Sequence, residues 1–123
     1  MMGHLTTREY SAFFGPASWG FLEGLGYVPD EYVVQRIGMV DVLHSTRFIH
    51  ELVTGDEAYV ESIVKKLGNS SITVGHRLVR ARDDTVCAEF ESVSVQFDLE
   101  GRRSIPLIPV LRDRAADHME AAA

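Results

Sequence analysis

Cysteine occurs once in the 123 residues, at Cys87, so no internal disulfide can form and no paired-cysteine spacing offers a zinc site. It lies in the apolar run Val86-Cys87-Ala88, which reads as a buried structural thiol. Basic residues are in deficit as well: 12 Lys and Arg stand against 18 Asp and Glu, a formal charge of −6. A protein that neutralises phosphates would carry a basic face or stripe, so a nucleic-acid partner is excluded. Lys65-Lys66 and Arg102-Arg103 are the only basic doublets, and each solvates a strand end as readily as it binds an anion. No apolar run reaches the roughly 18–20 residues that a membrane span needs. The N-terminus also lacks a charged region followed by an apolar stretch and a cleavage site, so a cytoplasmic location without a membrane partner is expected.

What is present is an ordinary globular composition, 46% hydrophobic and 24% charged, in a length suited to one core. The expected division is a single domain over 1–111 and a charged, alanine-rich segment over 112–123, either a short surface helix or a frayed tail. From Tyr10 the apolar positions Phe13, Phe14, Ala17, Phe21, Leu22 and Leu25 recur in steps of three and four, the stripe of an amphipathic helix. Thr6 and Glu9 have the spacing of a capping box, and Leu5 with Tyr10 that of a hydrophobic staple. Gly24 and Gly26, with Pro29 beyond, end the helix. Gly15-Pro16 falls in its middle, where the lost backbone bond predicts a kink; two shorter helices are the alternative.

After Pro29 the pattern becomes β. Segments rich in Val, Ile, Thr and Phe are separated by turn signals at Thr54-Gly55-Asp56, Gly68-Asn69, Asp83-Asp84 and Glu100-Gly101, which predicts four long strands in an antiparallel meander. Between Val86 and Phe97 the apolar parity switches from Val86, Ala88 and Phe90 to Val93, Val95 and Phe97, which predicts a β-bulge between Phe90 and Val93. On the preceding strand His44 and His50 share parity with Val42, Thr46, Phe48 and Leu52, so imidazoles mix with apolar groups on one face. An early helix whose stripe has no other partner must be covered by the sheet, an α+β arrangement.

Several segments together resemble a known family: Gly3-His4-Leu5-Thr6-Thr7-Arg8-Glu9-Tyr10, Phe13-Phe14, Ala17-Ser18-Trp19, Glu51-Leu52-Val53-Thr54-Gly55-Asp56 and Gly101-Arg102-Arg103-Ser104-Ile105-Pro106. They are similar to the 4-hydroxybenzoyl-CoA thioesterase-like branch of the hot-dog superfamily. The resemblance implies a hot-dog fold, in which one long central helix is wrapped by a curled antiparallel β-sheet. It implies hydrolysis of an acyl-CoA thioester by a homodimer or dimer-based tetramer, without a metal or organic cofactor, coenzyme A being part of the substrate. The thioester carbonyl would lie at the N-terminus of the helix, where the Thr7 N–H points at the oxygen as it gains charge. His4 and Thr6 would join Thr7 in the catalytic group, and Tyr10, Phe14, His44, Ser70 and Ser71 would line the substrate. Lys66, Arg102 and Arg103 would hold the CoA moiety.

The chain departs from the family at two points. Relatives carry an acidic residue three positions before the glycine matched by Gly3, a position before Met1, and often a further acid where Gly15 and Pro16 stand here. Asp41, His44 and Glu51 remain as candidate bases. A non-catalytic module that binds acyl thioesters is therefore the alternative function. A dehydratase on the same fold is disfavoured, because no Asp-x-x-x-x-His pattern of the hydratase type is present.

Overall fold

A computed structural model describes residues 7–27, 32 and 35–119, the first seven of them as backbone only. The expected capping box, staple and Pro29 stop lie outside the described residues. Helix α1, Thr7–Gly24, runs without interruption through Gly15-Pro16, so one helix forms and not two. It ends where Gly26 takes φ +92°, a conformation that glycine adopts without a Cβ clash. The Leu25, Gly26 and Tyr27 N–H groups close back onto the carbonyls of Phe21, Leu22 and Glu23.

Four long strands follow: β1 (Ile37–Phe48), β2 (Ala58–Leu67), β3 (Ser71–Arg80) and β4 (Thr85–Asp98), with a short β5 (Arg103–Ser104) and a final helix α2 (Pro109–Ala116). All pairings are antiparallel. The sheet order is β1-β4-β3-β2, with β5 paired to β4. The expected simple meander therefore holds only for β2, β3 and β4. The segment around Thr54-Gly55-Asp56 does not turn β1 back onto a neighbour; it carries the chain from one edge of the sheet to the other. Asp56 fixes that crossing, accepting from the Val53 N–H at 3.1 Å while its own N–H binds the Val53 carbonyl at 3.0 Å.

The inner face of the sheet is the one α1 covers. At one end Phe14 packs with Leu52, Leu78, Cys87 and Ala88. At the other end Leu22, Leu25 and Tyr27 pack with Val64, Ile72, Val74 and the residues of α2. Cys87 is buried, as its apolar surroundings in the sequence suggest. Leu111 and Ala115 of α2 are fully buried, and the Val64 N–H donates to the His118 carbonyl at 2.9 Å. The C-terminal segment is thus a helix, but one that begins at Pro109 and seals the core instead of lying on the surface.

The bulge expected between Phe90 and Val93 does not form. β4 keeps an unbroken register with β3 from Val95 to Ala88. Phe90, Ser92, Ser94 and Gln96 all face inward, and Val93, Val95 and Phe97 face out. The apolar pattern misleads because this end of the inner face is polar and hydrogen-bonded. Ser94 Oγ donates to Asp41 at 2.6 Å and Gln96 Nε2 to the Gly38 carbonyl at 2.8 Å, so burial carries no desolvation penalty for these donors. The irregularities fall elsewhere: between Asp41 and Leu43, between Val64 and Lys66, and opposite Leu78 and Val79, where Cys87 is the extra residue.

His76, on the inner face of β3, is 1% exposed. Its Nδ1 lies 2.6 Å from Ser62 Oγ, while Nε2 has no hydrogen-bond partner among the described residues. Phe90 stacks on the ring at 5.8 Å and Phe21 meets it edge-on at 6.2 Å. Burial pushes its pKa down to about 4 from the ordinary 6.5.

Two measurements check this packing. Phe14→Ala is expected to lower the unfolding free energy by about 3–5 kcal/mol, the usual cost of deleting a buried phenylalanine, whereas the half-exposed Trp19 should cost far less as alanine. An unmoved denaturation midpoint for Phe14→Ala would remove that ring from the core. For His76 the folded pKa lies below the unfolded one, so the unfolded chain takes up the proton first and stability falls as pH drops from about 6.5 to about 4. The expected loss is on the order of 3 kcal/mol across that window, and His76→Gln should abolish its contribution to the slope of stability against pH.

Candidate functional site

The first N–H groups of a helix have no partner within it, so the Thr7 end of α1 presents donors together with the positive end of the helix dipole. Phe14 packs at the Leu52–Ala88 end of the sheet and Leu25 at the Ile72 end, which places the start of α1 toward the former. At 1.5 Å per residue Thr7 lies about 10 Å along the axis beyond Phe14.

Between this helix and β1 the inner face is aromatic. The Phe14 ring stacks on Phe90 at 5.1 Å and 17°, and His44 meets Phe90 edge-on at the same centroid distance. α1 lies over β2 and β3, and β1 from Val40 onward is exposed along its whole length. Its inner side is uncovered there, and Phe90 of β4 lies between it and Phe14.

The bulge at Val42 sets which β1 residues turn toward Phe90. Asp41 pairs with Ser94 and Leu43 with Val93, so Val42 is the extra residue and both Asp41 and His44 point inward. Three residues apart on a regular strand, they would point to opposite faces. Here His44 Nε2 lies 3.1 Å from one Asp41 oxygen, and the other accepts from Ser94. Both Asp41 and His44 are about half exposed, at 52% each. The strict alternation read from the sequence breaks here, because the register leaves Val42 without a β4 partner. His50 lies past the end of β1 and donates its backbone N–H to the Cys87 carbonyl at 3.1 Å.

Glu51 sits at the Phe14 end, one residue before the buried Leu52. Its carbonyl accepts from Arg80 Nη1 at 2.8 Å, and Arg80 also grips Asp83 through Nε at 3.0 Å and Nη2 at 2.8 Å. That fork holds the Asp83 carboxyl well below the usual carboxylate range.

The remaining expected residues lie elsewhere. Ser70 lies in the turn between β2 and β3 and Ser71 opens β3, at the Ile72 end and so at the other end of the sheet from the start of α1. Arg112 of α2 clamps this turn, donating from Nη2 to the Gly68 carbonyl and to the Asn69 carbonyl, the latter at 2.8 Å. The Ser70 carbonyl accepts the Gln96 N–H at 2.8 Å. Arg102 and Arg103 lie at the β4–β5 hairpin, also at that far end, with the Arg102 guanidinium 5.8 Å over the Phe97 ring. Lys66 is exposed on β2, facing away from α1 and separated from that hairpin by β3 and β4.

Within one chain the structure thus brings Phe14 and His44 together, and separates them from Ser70, Ser71, Lys66, Arg102 and Arg103. His4, Thr6 and the Tyr10 side chain lie outside the described residues. Sequence reasoning missed the Ser94–Asp41–His44 linkage, the Ser62–His76 pair and the Arg112 clamp. The first was detectable only as two inward polar residues an odd distance apart, which requires a bulge to be known. Among the described residues no three His, Cys, Asp or Glu side chains converge on a metal position. No described helix is long and apolar enough to cross a membrane.

Comparison with solved structures matches this architecture widely. A hypothetical protein of Staphylococcus aureus, determined in complex with CoA, superposes with a TM-score of 0.87 at 15% identity, over 98% of this chain and 78% of that one. A Pseudomonas aeruginosa protein gives 0.83 at 24% identity over 98% and 83%. A 1,4-dihydroxy-2-naphthoyl-CoA thioesterase from Synechocystis gives 0.83 at 15% identity over 94% and 85%. These likenesses establish the hot-dog fold. No curated protein matches the sequence. The family model of the thioesterase-like superfamily matches residues 1–115, almost the whole described fold, and on that match the chain belongs to the thioesterase-like superfamily.

Proposed function

We propose that this protein hydrolyses acyl-CoA thioesters. The observation that carries the reading is the start of α1: the unpaired N–H groups of an 18-residue helix, at the end of the sheet where the aromatic wall of Phe14 and Phe90 begins. The thioester oxygen would accept from the Thr7 N–H, and the acyl group would lie along that wall. Water attacks the carbonyl carbon, the C–S bond breaks, and the proton lost by the water passes through a base to the departing thiolate. A donor already aimed at the developing oxyanion contributes about 3–4 kcal/mol to such a step. Two groups are candidates for the base: Glu51, in the segment beside Leu52, and His44 on the inner face, whose imidazole Asp41 orients.

The proposed active unit contains at least two copies. β1 is a sheet edge with a row of unpaired N–H and C=O groups, and Val42 and Phe48 on it are half exposed or more. Antiparallel pairing of two such edges about a two-fold axis sets the Phe48 end of one copy beside the Ile37 end of the other. The far-end residues Ser70, Ser71, Arg102 and Arg103 of the second copy would then approach the helix start of the first. This resolves their separation within one chain and offers two guanidinium groups to the CoA phosphates. Lys66, on the outer face, would reach such a ligand only around the sheet edge.

Release of free thiol from a panel of acyl-CoA compounds tests the reading. Thr7→Pro is the informative variant, because proline at the first helical position keeps the helix and deletes only the N–H. It is expected to lower kcat about 100–1000-fold with KM little changed, the signature of a contact made only in the transition state. Glu51→Gln and His44→Ala then identify the base by which of them abolishes turnover. Acyl-CoA binding by calorimetry with no thiol release from the wild type would turn the reading to a binding module. Light scattering at micromolar concentration is expected to give at least a dimer, and a monomer mass would contradict the shared site.

A further inference from the structure

His76 uses only half of its hydrogen-bonding capacity. The ring is 1% exposed, its Nδ1 lies 2.6 Å from Ser62 Oγ, and its Nε2 is buried without a partner among the described residues. A polar atom left unpaired in a packed core is a standing cost to the fold, and most such atoms in native proteins are paired. The direction of this one is set by its neighbours. His76 faces Ser62 across the β2 ladder and Phe90 across the β4 ladder. The two nitrogens of an imidazole point in nearly opposite directions, so with Nδ1 turned to Ser62 the Nε2 faces the β4 side, where Phe90 stacks on the ring at 5.8 Å. Phe90 also holds Phe14 and His44 against it, each at 5.1 Å. Nε2 is thus turned toward the aromatic group along which the acyl chain is proposed to lie.

The same contacts fix how far along α1 this atom lies. Phe21 meets the His76 ring edge-on at 6.2 Å and Phe90 links it to Phe14, so His76 sits under the stretch of α1 between Phe14 and Phe21. That stretch is roughly 10–20 Å from Thr7 along the helix axis. An extended chain advances about 1.2 Å per bond, so an acyl chain of roughly 9–17 carbons spans the interval. Past His76 the inner face is closed by Leu22, Val64 and Val74, all buried in one cluster. A chain that reaches the ring therefore ends there. With the thioester at the proposed site, on which this reading rests, we infer that His76 Nε2 receives a hydroxyl at the tip of the acyl chain, so that the preferred substrate is an ω-hydroxyacyl thioester. A hydroxyl both donates and accepts, so it pairs with either tautomer of the ring. A carboxylate tip would bury a charge beside an imidazole that its own burial keeps neutral, with a pKa near 4. A methyl tip leaves Nε2 unpaired.

Thioether analogues of acyl-CoA, which cannot be hydrolysed, test this apart from catalysis. Analogues with alkyl chains across that range of lengths, each made with and without a terminal hydroxyl, are compared by calorimetry. At the best length the wild type is expected to bind the hydroxyl form about 10-fold more tightly. His76→Phe keeps a planar ring and removes both nitrogens, so the preference should vanish while circular dichroism shows the chain still folded. A second readout needs no variant: in nitrogen NMR of the wild type, the hydroxyl form is expected to move the His76 ring resonances and the plain form to leave them in place. Equal affinities at every length, or a preference that His76→Phe retains, would overturn the inference, as would failure of both forms to bind. Thiol release from acyl-CoA alongside equal affinities removes the hydroxyl contact and leaves the thioesterase reading standing. A hydroxyl preference without thiol release supports the contact and turns the function to binding.

Discussion

The architecture depends on the unequal coverage of one sheet by one helix. α1 is 18 residues long and lies across β2 and β3, while β1 packs against the core at Met39 and is exposed from Val40 onward. Burying Phe14, Leu22 and Leu25 fixes the helix; at roughly 2 kcal/mol or more for each buried apolar side chain, no polar contact in the chain competes with that. The uncovered remainder of the inner face leaves His44 and Phe90 beside the helix, and β1 stands as an edge of the described sheet. The proposed site and the proposed contact between copies both rest on this incomplete coverage.

Polar groups on the inner face tell a consistent story. Where the helix covers them they are buried, as in His76, whose Nδ1 meets Ser62 while its Nε2 has no partner among the described residues. Where it does not, as in Ser94, Asp41 and His44, they form a chain from the buried interior to the half-exposed surface. Burial decides the state of the inner imidazole: His76, with its pKa held near 4, stays neutral through the physiological range.

The helix, the four strands and their turns were legible in the sequence because apolar spacing and glycine-rich turns act locally. The aromatic stripe of α1 gave both its length and its buried side. Strand order was not legible, since the crossing from β1 to β2 depends on which edge of the sheet is free when the chain arrives. The β4 bulge was misread because apolarity stood in for inwardness, while Ser92, Ser94 and Gln96 are buried through hydrogen bonds supplied in part by β1. The role of the C-terminal segment was hidden for a similar reason: Leu111 and Ala115 make a weak stripe, and only the hollow at Val64 and Ile72 gives it meaning. Of the expected site, Phe14 and His44 lie against the same Phe90 ring, and Ser70, Ser71, Lys66, Arg102 and Arg103 lie apart from them, because strand order and register decide which distant residues meet.

The position of α2 bears on how the protein is made. Its buried residues close the core that α1 opens, and Arg112 secures a turn more than forty positions earlier in the chain. Synthesis runs from α1 toward α2, so α1 and the strands leave the ribosome before the helix that seals the hollow at Val64 and Ile72. Until α2 follows, that apolar surface stands uncovered, and this interval is when chaperone binding or premature association would act.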